Sequence, residues 1–143
     1  VKIYFLTFVL LINTAFAFNI PEGIYEGTGT IYSQSSNSTY ITKLSIDSAH
    51  VNTQYKLSNG EQKNWNFSYI KTQGESFDVI YLGFNVGQGL CSNQKKSCYY
   101  KLNYSKEKLE ESFHYNQNQL TRYGSKIVDQ EKITWKEVYL KQR

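Results

Sequence analysis

Apolar residues recur at every second position along most of this 143-residue chain, and the alternation is clearest towards its C-terminus. Residues 109–115, 120–126 and 133–140 each read as a strand. Leu109, Phe113 and Tyr115, then Leu120, then Ile133, Trp135 and Tyr139 share one face. The same parity carries Glu111, Arg122 and Glu137, so charges fall among the core-facing positions. An aromatic inner face that also holds charge predicts a barrel with a partly polar interior.

The rest of the chain follows the same rule. Residues 21–32 read as a first strand, in which Gly23, Gly27 and Gly29 permit a sharp bend or close approach to another backbone. Tyr40, Thr42, Leu44 and Ile46 alternate along a second strand, and Val51, Thr53, Tyr55 and Leu57 along a third. Asn59-Gly60 supplies the positive φ of a hairpin turn, leading to Trp65, Phe67 and Tyr69 on a fourth strand. Phe77, Val79 and Tyr81 continue the inward set beyond a turn at 72–75. Gly87-Gln88-Gly89 reads as a bulge, because neither a helix nor a Lys-Ser/Thr pair follows to make it a phosphate loop.

Residues 105–115 also fit a short helix, with Ser105 as N-cap and Leu109 and Phe113 at i, i+4. The strand is preferred because turns recur roughly every 8–12 residues on both sides. That spacing predicts an all-β fold, an antiparallel up-and-down barrel of about 8–10 strands, which removes exposed edges by closure. Residues 18–143 form its single domain.

Composition agrees. Thirteen Tyr, eight Phe and two Trp with one Pro and no Met suit strands, although frequent Asn, Lys, Tyr and Ile also fit an AT-rich genome. Lys2, an apolar run from Ile3 to Ile12 and Ala15-Phe16-Ala17 have the three-part pattern of a signal peptide. The run is too short to span a bilayer. Cleavage is expected after Ala17, giving a periplasmic or secreted chain that does not span the membrane. Val1 reads as an alternative bacterial start codon translated literally, or as a trimmed chain. No Cys follows the run, which argues against a lipid anchor there. Loss of Lys2 alone would leave the net charge near +3 from +4, and the lysines are scattered, so no nucleic-acid footprint is expected. Cys91 and Cys98, the only cysteines, are expected to form a disulfide across a polar turn. No helix or Cys-x-x-Cys spacing supports a catalytic role for them.

Gly23-Ile24-Tyr25-Glu26-Gly27-Thr28-Gly29, opening such a chain, resembles the first strand of the lipocalin-like (calycin) group. There a Gly-x-Trp motif opens the strand, and a cationic residue near the last strand packs on the ring. Here Tyr25 stands where Trp would, and the sequence alone matches no Arg or Lys to the second element. The resemblance implies a pocket for a small, largely apolar ligand at one end. A second likeness joins Tyr123-Gly124-Ser125-Lys126 and Trp135 to the Ser-Gly-x-x-Tyr loop of bacterial periplasmic lysozyme inhibitors. The order within the loop and the cysteine placement differ.

Glu111, Arg122 and Glu137 are the candidate polar centre, since buried ions of this kind require partners. Arg122 is placed to fork between the two carboxylates, as a structural ion cluster or as part of ligand recognition. His50 and His114 have no third group spaced to complete a metal site, so no metal or cofactor is expected. Three matches to the glycosylation sequon, at Asn37, Asn66 and Asn103, matter only in a eukaryotic source. The leading expectation is an exported, non-enzymatic barrel that binds a small hydrophobic or aromatic ligand. Trp65, Phe67, Tyr81, Glu111, Phe113, Arg122, Trp135, Glu137 and Tyr139 are its expected ligand-binding residues. The alternative is a protein-interaction module, such as an inhibitor, acting through loops or the outer face.

Overall fold

The computed structural model describes residues 20–48, 50–104 and 107–143. The expected signal segment, 1–17, lies outside the described residues, as does Ser105. Ten strands run in chain order: β1 (Gly23–Tyr32), β2 (Asn37–Asp47), β3 (His50–Lys56), β4 (Gln62–Lys71) and β5 (Ser76–Tyr81), then β6 (Phe84–Ser92), β7 (Ser97–Tyr104), β8 (Glu107–Tyr115), β9 (Gln119–Val128) and β10 (Glu131–Lys141). Each pairs antiparallel with its chain neighbours, and β1 closes on β10 to complete the barrel. Residues 107–115 are strand rather than helix, paired with β7 and β9 along their length. The β8–β9 and β9–β10 pairings hold Leu109, Phe113 and Leu120, with Ile133 and Tyr139, on one inner face, as the period of two requires.

Turn chemistry matches the residues that make the turns. Gly60 adopts φ +85°, and the Asn59 side chain accepts the Glu61 amide at 2.9 Å. At the β5–β6 and β9–β10 turns, Leu82-Gly83 and Asp129-Gln130 have positive φ at both central positions, the type I′ pattern of tight hairpins. The bulge lies one residue earlier than expected. Val79 pairs Gly87 and Ile80 pairs Asn85, so Val86 is the extra residue. Gly89 instead leaves its inward position empty for the Phe77 ring, whose Cζ would lie 2.3 Å from an added Cβ.

The two ends of the barrel differ. Where β2–β3, β4–β5, β6–β7 and β8–β9 connect, Leu44, Ile46, Val51, Tyr69, Phe77, Tyr100, Phe113 and Leu120 fill the interior, and Ile20 packs against them. The Cys91–Cys98 disulfide lies in this end, joining directly opposed residues of β6 and β7 at a Cα separation of 4.0 Å. Chain-entropy reasoning gives such a short bridge roughly 2–3 kcal/mol.

Barrel closure places a cation of the last strand beside Tyr25. Tyr25 pairs with Lys141, whose Nζ lies 6.0 Å from the centroid of the Tyr25 ring. The Tyr25 hydroxyl donates to the Pro21 carbonyl at 2.6 Å. By contrast, Tyr123–Lys126 is not a loop. It lies within β9, with Tyr123 paired to both Ser112 and Lys136, so the likeness to the inhibitor loop does not hold.

Closure also generates a test. A Cβ on Gly27 would sit 1.9 Å from the Val138 carbonyl oxygen, with backbone on both sides of the clash. Gly27→Ala should therefore cost about 3 kcal/mol or more, against about 1 kcal/mol for Gly74→Ala, where only the positive φ is strained. Urea melts measure both. Equal costs would contradict the β1–β10 seam.

Candidate functional site

Above the filled half, the barrel encloses a cavity of about 300 Å3. It lies at the end where β1–β2, β3–β4, β5–β6 and β9–β10 connect, and residues from nine strands and one connection line it. Trp65 and Phe67 on β4 and Tyr81 on β5 form an aromatic panel. The Trp65 and Phe67 rings stack with centroids 6.4 Å apart and planes 9° apart, and Tyr81 lies 5.2 Å from Phe67. Ile31, Leu57, Leu102, Leu109 and Ile133 extend the apolar wall, with Lys63 and Lys126 beside them.

The floor is ionic. Arg122 donates through Nε to Glu137, through Nη1 to the Thr53 hydroxyl at 3.2 Å and through Nη2 to the Tyr55 hydroxyl at 2.5 Å. Glu137 also accepts from Tyr40 at 2.5 Å and from Tyr139 at 2.7 Å. Tyr139 directs its own proton there, so its oxygen is left to accept from Thr42 at 3.0 Å. Glu111 accepts from Tyr100 and, at 3.1 Å, from the Trp135 indole N–H. Its Oε1 lies 3.7 Å from Arg122 Nε, an ionic contact without the hydrogen bond that Glu137 takes. Among the described residues, no buried side-chain nitrogen or oxygen lacks a partner.

Two glycines make room for these donors. The Tyr40 ring crosses Gly29 and the Trp135 ring crosses Gly124, each within 2.5 Å of where a Cβ would stand. The side chains that satisfy the carboxylates therefore lie in space two other strands leave empty.

Burial sets the protonation of the cluster. Glu111 is pushed above the usual carboxylate range by burial, against the pull of Arg122 and of its hydrogen bonds to Tyr100 and Trp135, with Glu137 adding to the rise. Burial alone would lower Arg122, but Glu137 and its other neighbours more than offset it and hold the guanidinium charged. Tyr40 is raised by burial and then by Glu137, so the phenol keeps its proton. Burial likewise raises Tyr55, Tyr100 and Tyr139.

Seven of the nine expected binding residues line the cavity: Trp65, Phe67, Tyr81, Glu111, Arg122, Trp135 and Glu137. Phe113 and Tyr139 do not. Phe113 is fully buried below the floor, stacked on Tyr100 and 5.6 Å from the Arg122 guanidinium carbon, and Tyr139 is spent on Glu137. Parity places both on the inner face, but depth along the barrel puts them in the filled half. Tyr40 and Tyr55 are among the lining residues that sequence reasoning left out of the site, although both already had inward parity. His50 and His114 are apart from the cavity, bonded to Ser68 at 2.9 Å and set edge-on to Tyr123.

No protein-family model matches the sequence, and no curated protein does. Among solved structures, the barrel is similar to the S-type phycobiliprotein lyase of Guillardia theta, with a TM-score of 0.68 over 85% of this chain and 88% of that one. The two share 8% identity, so the likeness is one of fold, a closed lipocalin-like barrel. It corrects the expectation of a non-enzymatic protein. A chain of this architecture carries the name of a lyase, so neither the barrel nor the lack of a familiar catalytic motif sets this chain apart from enzymes.

Arg122→Ala tests the floor. Removing one partner of a buried ion group costs about 3–5 kcal/mol, against about 0–1 kcal/mol for an exposed pair. Glu111, already raised by burial, then loses the pull of the guanidinium and should rise further above its unfolded value. The penalty is then smallest below the unfolded value near pH 4 and grows as pH rises through the folded value. Urea melts at neutral and mildly acidic pH should show a smaller deficit in acid. A deficit under about 1 kcal/mol, alike at both pH values, would mean that Arg122 is solvated.

Proposed function

We propose that this chain is an exported barrel that binds a small, largely apolar or aromatic ligand in its open half. The observation that supports the reading is the cavity itself, with the Trp65–Phe67–Tyr81 panel on its wall above an interior otherwise filled. Apolar walls with a few convergent polar groups are the usual make-up of a ligand pocket. At about 300 Å3 it stands at the small end of the roughly 300–1,000 Å3 that such pockets span, which favours a compact ligand. The rival, a protein-interaction module, is less well supported, because the longest connection among the described residues is only the five-residue one at 57–61.

N-phenyl-1-naphthylamine, a neutral fluorescent probe of suitable size, tests the pocket. Its emission should rise saturably with one site per chain. Trp65→Ala or Tyr81→Ala should weaken binding about 3- to 10-fold, the value of one aromatic contact. Absence of any saturable signal from the folded protein would count against the pocket. Export is tested separately by sequencing the N-terminus of protein recovered from its own host. It should begin at Phe18, and retention of residues 1–17 would refute the cleavage.

A further inference from the structure

The floor of the cavity has two carboxylates and one guanidinium, and the three groups are not equivalent. Glu137 takes the Arg122 Nε–H and two phenol hydrogen bonds and is 0% exposed. Arg122 also donates to Thr53 and Tyr55. Glu111 is left with two neutral donors, Tyr100 and Trp135, and an ionic contact at 3.7 Å, and it retains 7% exposure among the groups lining the cavity. A carboxylate offers about four acceptor sites, so Glu111 has capacity to spare. The surplus negative charge of the floor therefore resides on Glu111, the more exposed of the two carboxylates that line the cavity.

Trp65, Phe67 and Tyr81 line the same cavity, and aromatic rings have electronegative π faces. Such faces attract cations, and carboxylates complete the recognition of organic ammonium groups. Lys63 and Lys126 also line the cavity. Lys63 is exposed and paired with Glu61 at 3.5 Å, where solvent and salt screen its charge. Lys126 is half-buried four residues along β9 from Arg122, about 13 Å from the floor towards the open end. The buried Glu111 charge is screened far less.

We propose that the pocket takes a flat aromatic cation, whose protonated nitrogen meets Glu111 while its ring lies against Trp65, Phe67 and Tyr81. The proposal rests on the ligand-binding reading above and adds the chemical class. Neutral apolar molecules would still enter, without the charge-assisted bond. Anions would meet a floor that already has one negative charge too many.

Three probes with one ring separate these cases: 2-naphthylmethylamine, 2-naphthalenemethanol and 2-naphthoate, titrated calorimetrically into the intact protein at pH 8. The amine should bind about ten-fold tighter than the alcohol, the usual margin of a charge-assisted over a neutral hydrogen bond, and the naphthoate weakest. In Glu111→Gln the advantage of the amine should shrink to within about three-fold while the alcohol is little changed, and Glu61→Gln should preserve it. The wild-type series decides the matter even if Glu111→Gln folds poorly. An alcohol or naphthoate that binds wild type as tightly as the amine overturns the assignment and leaves the pocket standing. Failure of all three to bind overturns both.

Discussion

The position of Arg122 between Glu137 and Glu111 constrains this barrel more than any other contact. Seven strands send a side chain to the group: Tyr40 from β2, Thr53 and Tyr55 from β3, Tyr100 from β7, Glu111 from β8, Arg122 from β9, and Trp135, Glu137 and Tyr139 from β10, with Thr42 and Tyr69 behind them on β2 and β4. A one-residue slip of β9 would turn Arg122 outward and leave two buried carboxylates without their cation. An apolar core penalises such a slip through lost packing alone. Here the slip also exposes charge to a low-dielectric interior, so the cluster discriminates against wrong registers. It also divides the barrel, because aromatic packing stops where the hydrogen bonds begin and the cavity opens above.

The phenols around the cluster act as donors and not as acids. Burial holds Tyr40, Tyr55, Tyr100 and Tyr139 above the ordinary phenol range, so each keeps its proton and directs it or its oxygen at a charged neighbour. Glu111 is different. Its pKa is raised above the usual carboxylate range by burial, and it borders the cavity. A buried carboxyl next to a ligand site has the makings of a binding contact or of a proton donor. The fold does not choose between them, since similar barrels include a chain named as a lyase.

The alternation of apolar residues was enough to place all three charges inside, because a period of two decides which face a residue joins. It says nothing of depth. That is why Phe113 and Tyr139 share the parity of Trp135 yet lie below the floor. The Tyr25–Lys141 contact was invisible for a related reason. It forms only when the first strand meets the last, and no local pattern records which residues oppose each other across a seam that far apart in sequence. The bulge falls at Val86, one residue before the Gly87–Gly89 stretch that the sequence marks as irregular. Their function is spatial: Gly89 leaves room for Phe77, and an added Cβ at Gly87 would meet the Lys101 carbonyl at 2.1 Å.

Glycine links the two halves of the design. The donors to Glu137 and Glu111 are large rings, and large rings pointing inward from adjacent strands normally collide. The collision is avoided by leaving positions empty: Gly29 under Tyr40, paired across β1 and β2, and Gly124 under Trp135, paired across β9 and β10. A methyl group at either site would displace a ring that holds a carboxylate, so a change that looks like a packing defect would also break a hydrogen bond. The same exchange explains how a chain this rich in aromatics retains a cavity. Rings that occupy the space over glycines take up room on the wall that side chains there would fill, and the cavity beside them is bordered by Glu111, the less neutralised of the two buried carboxylates.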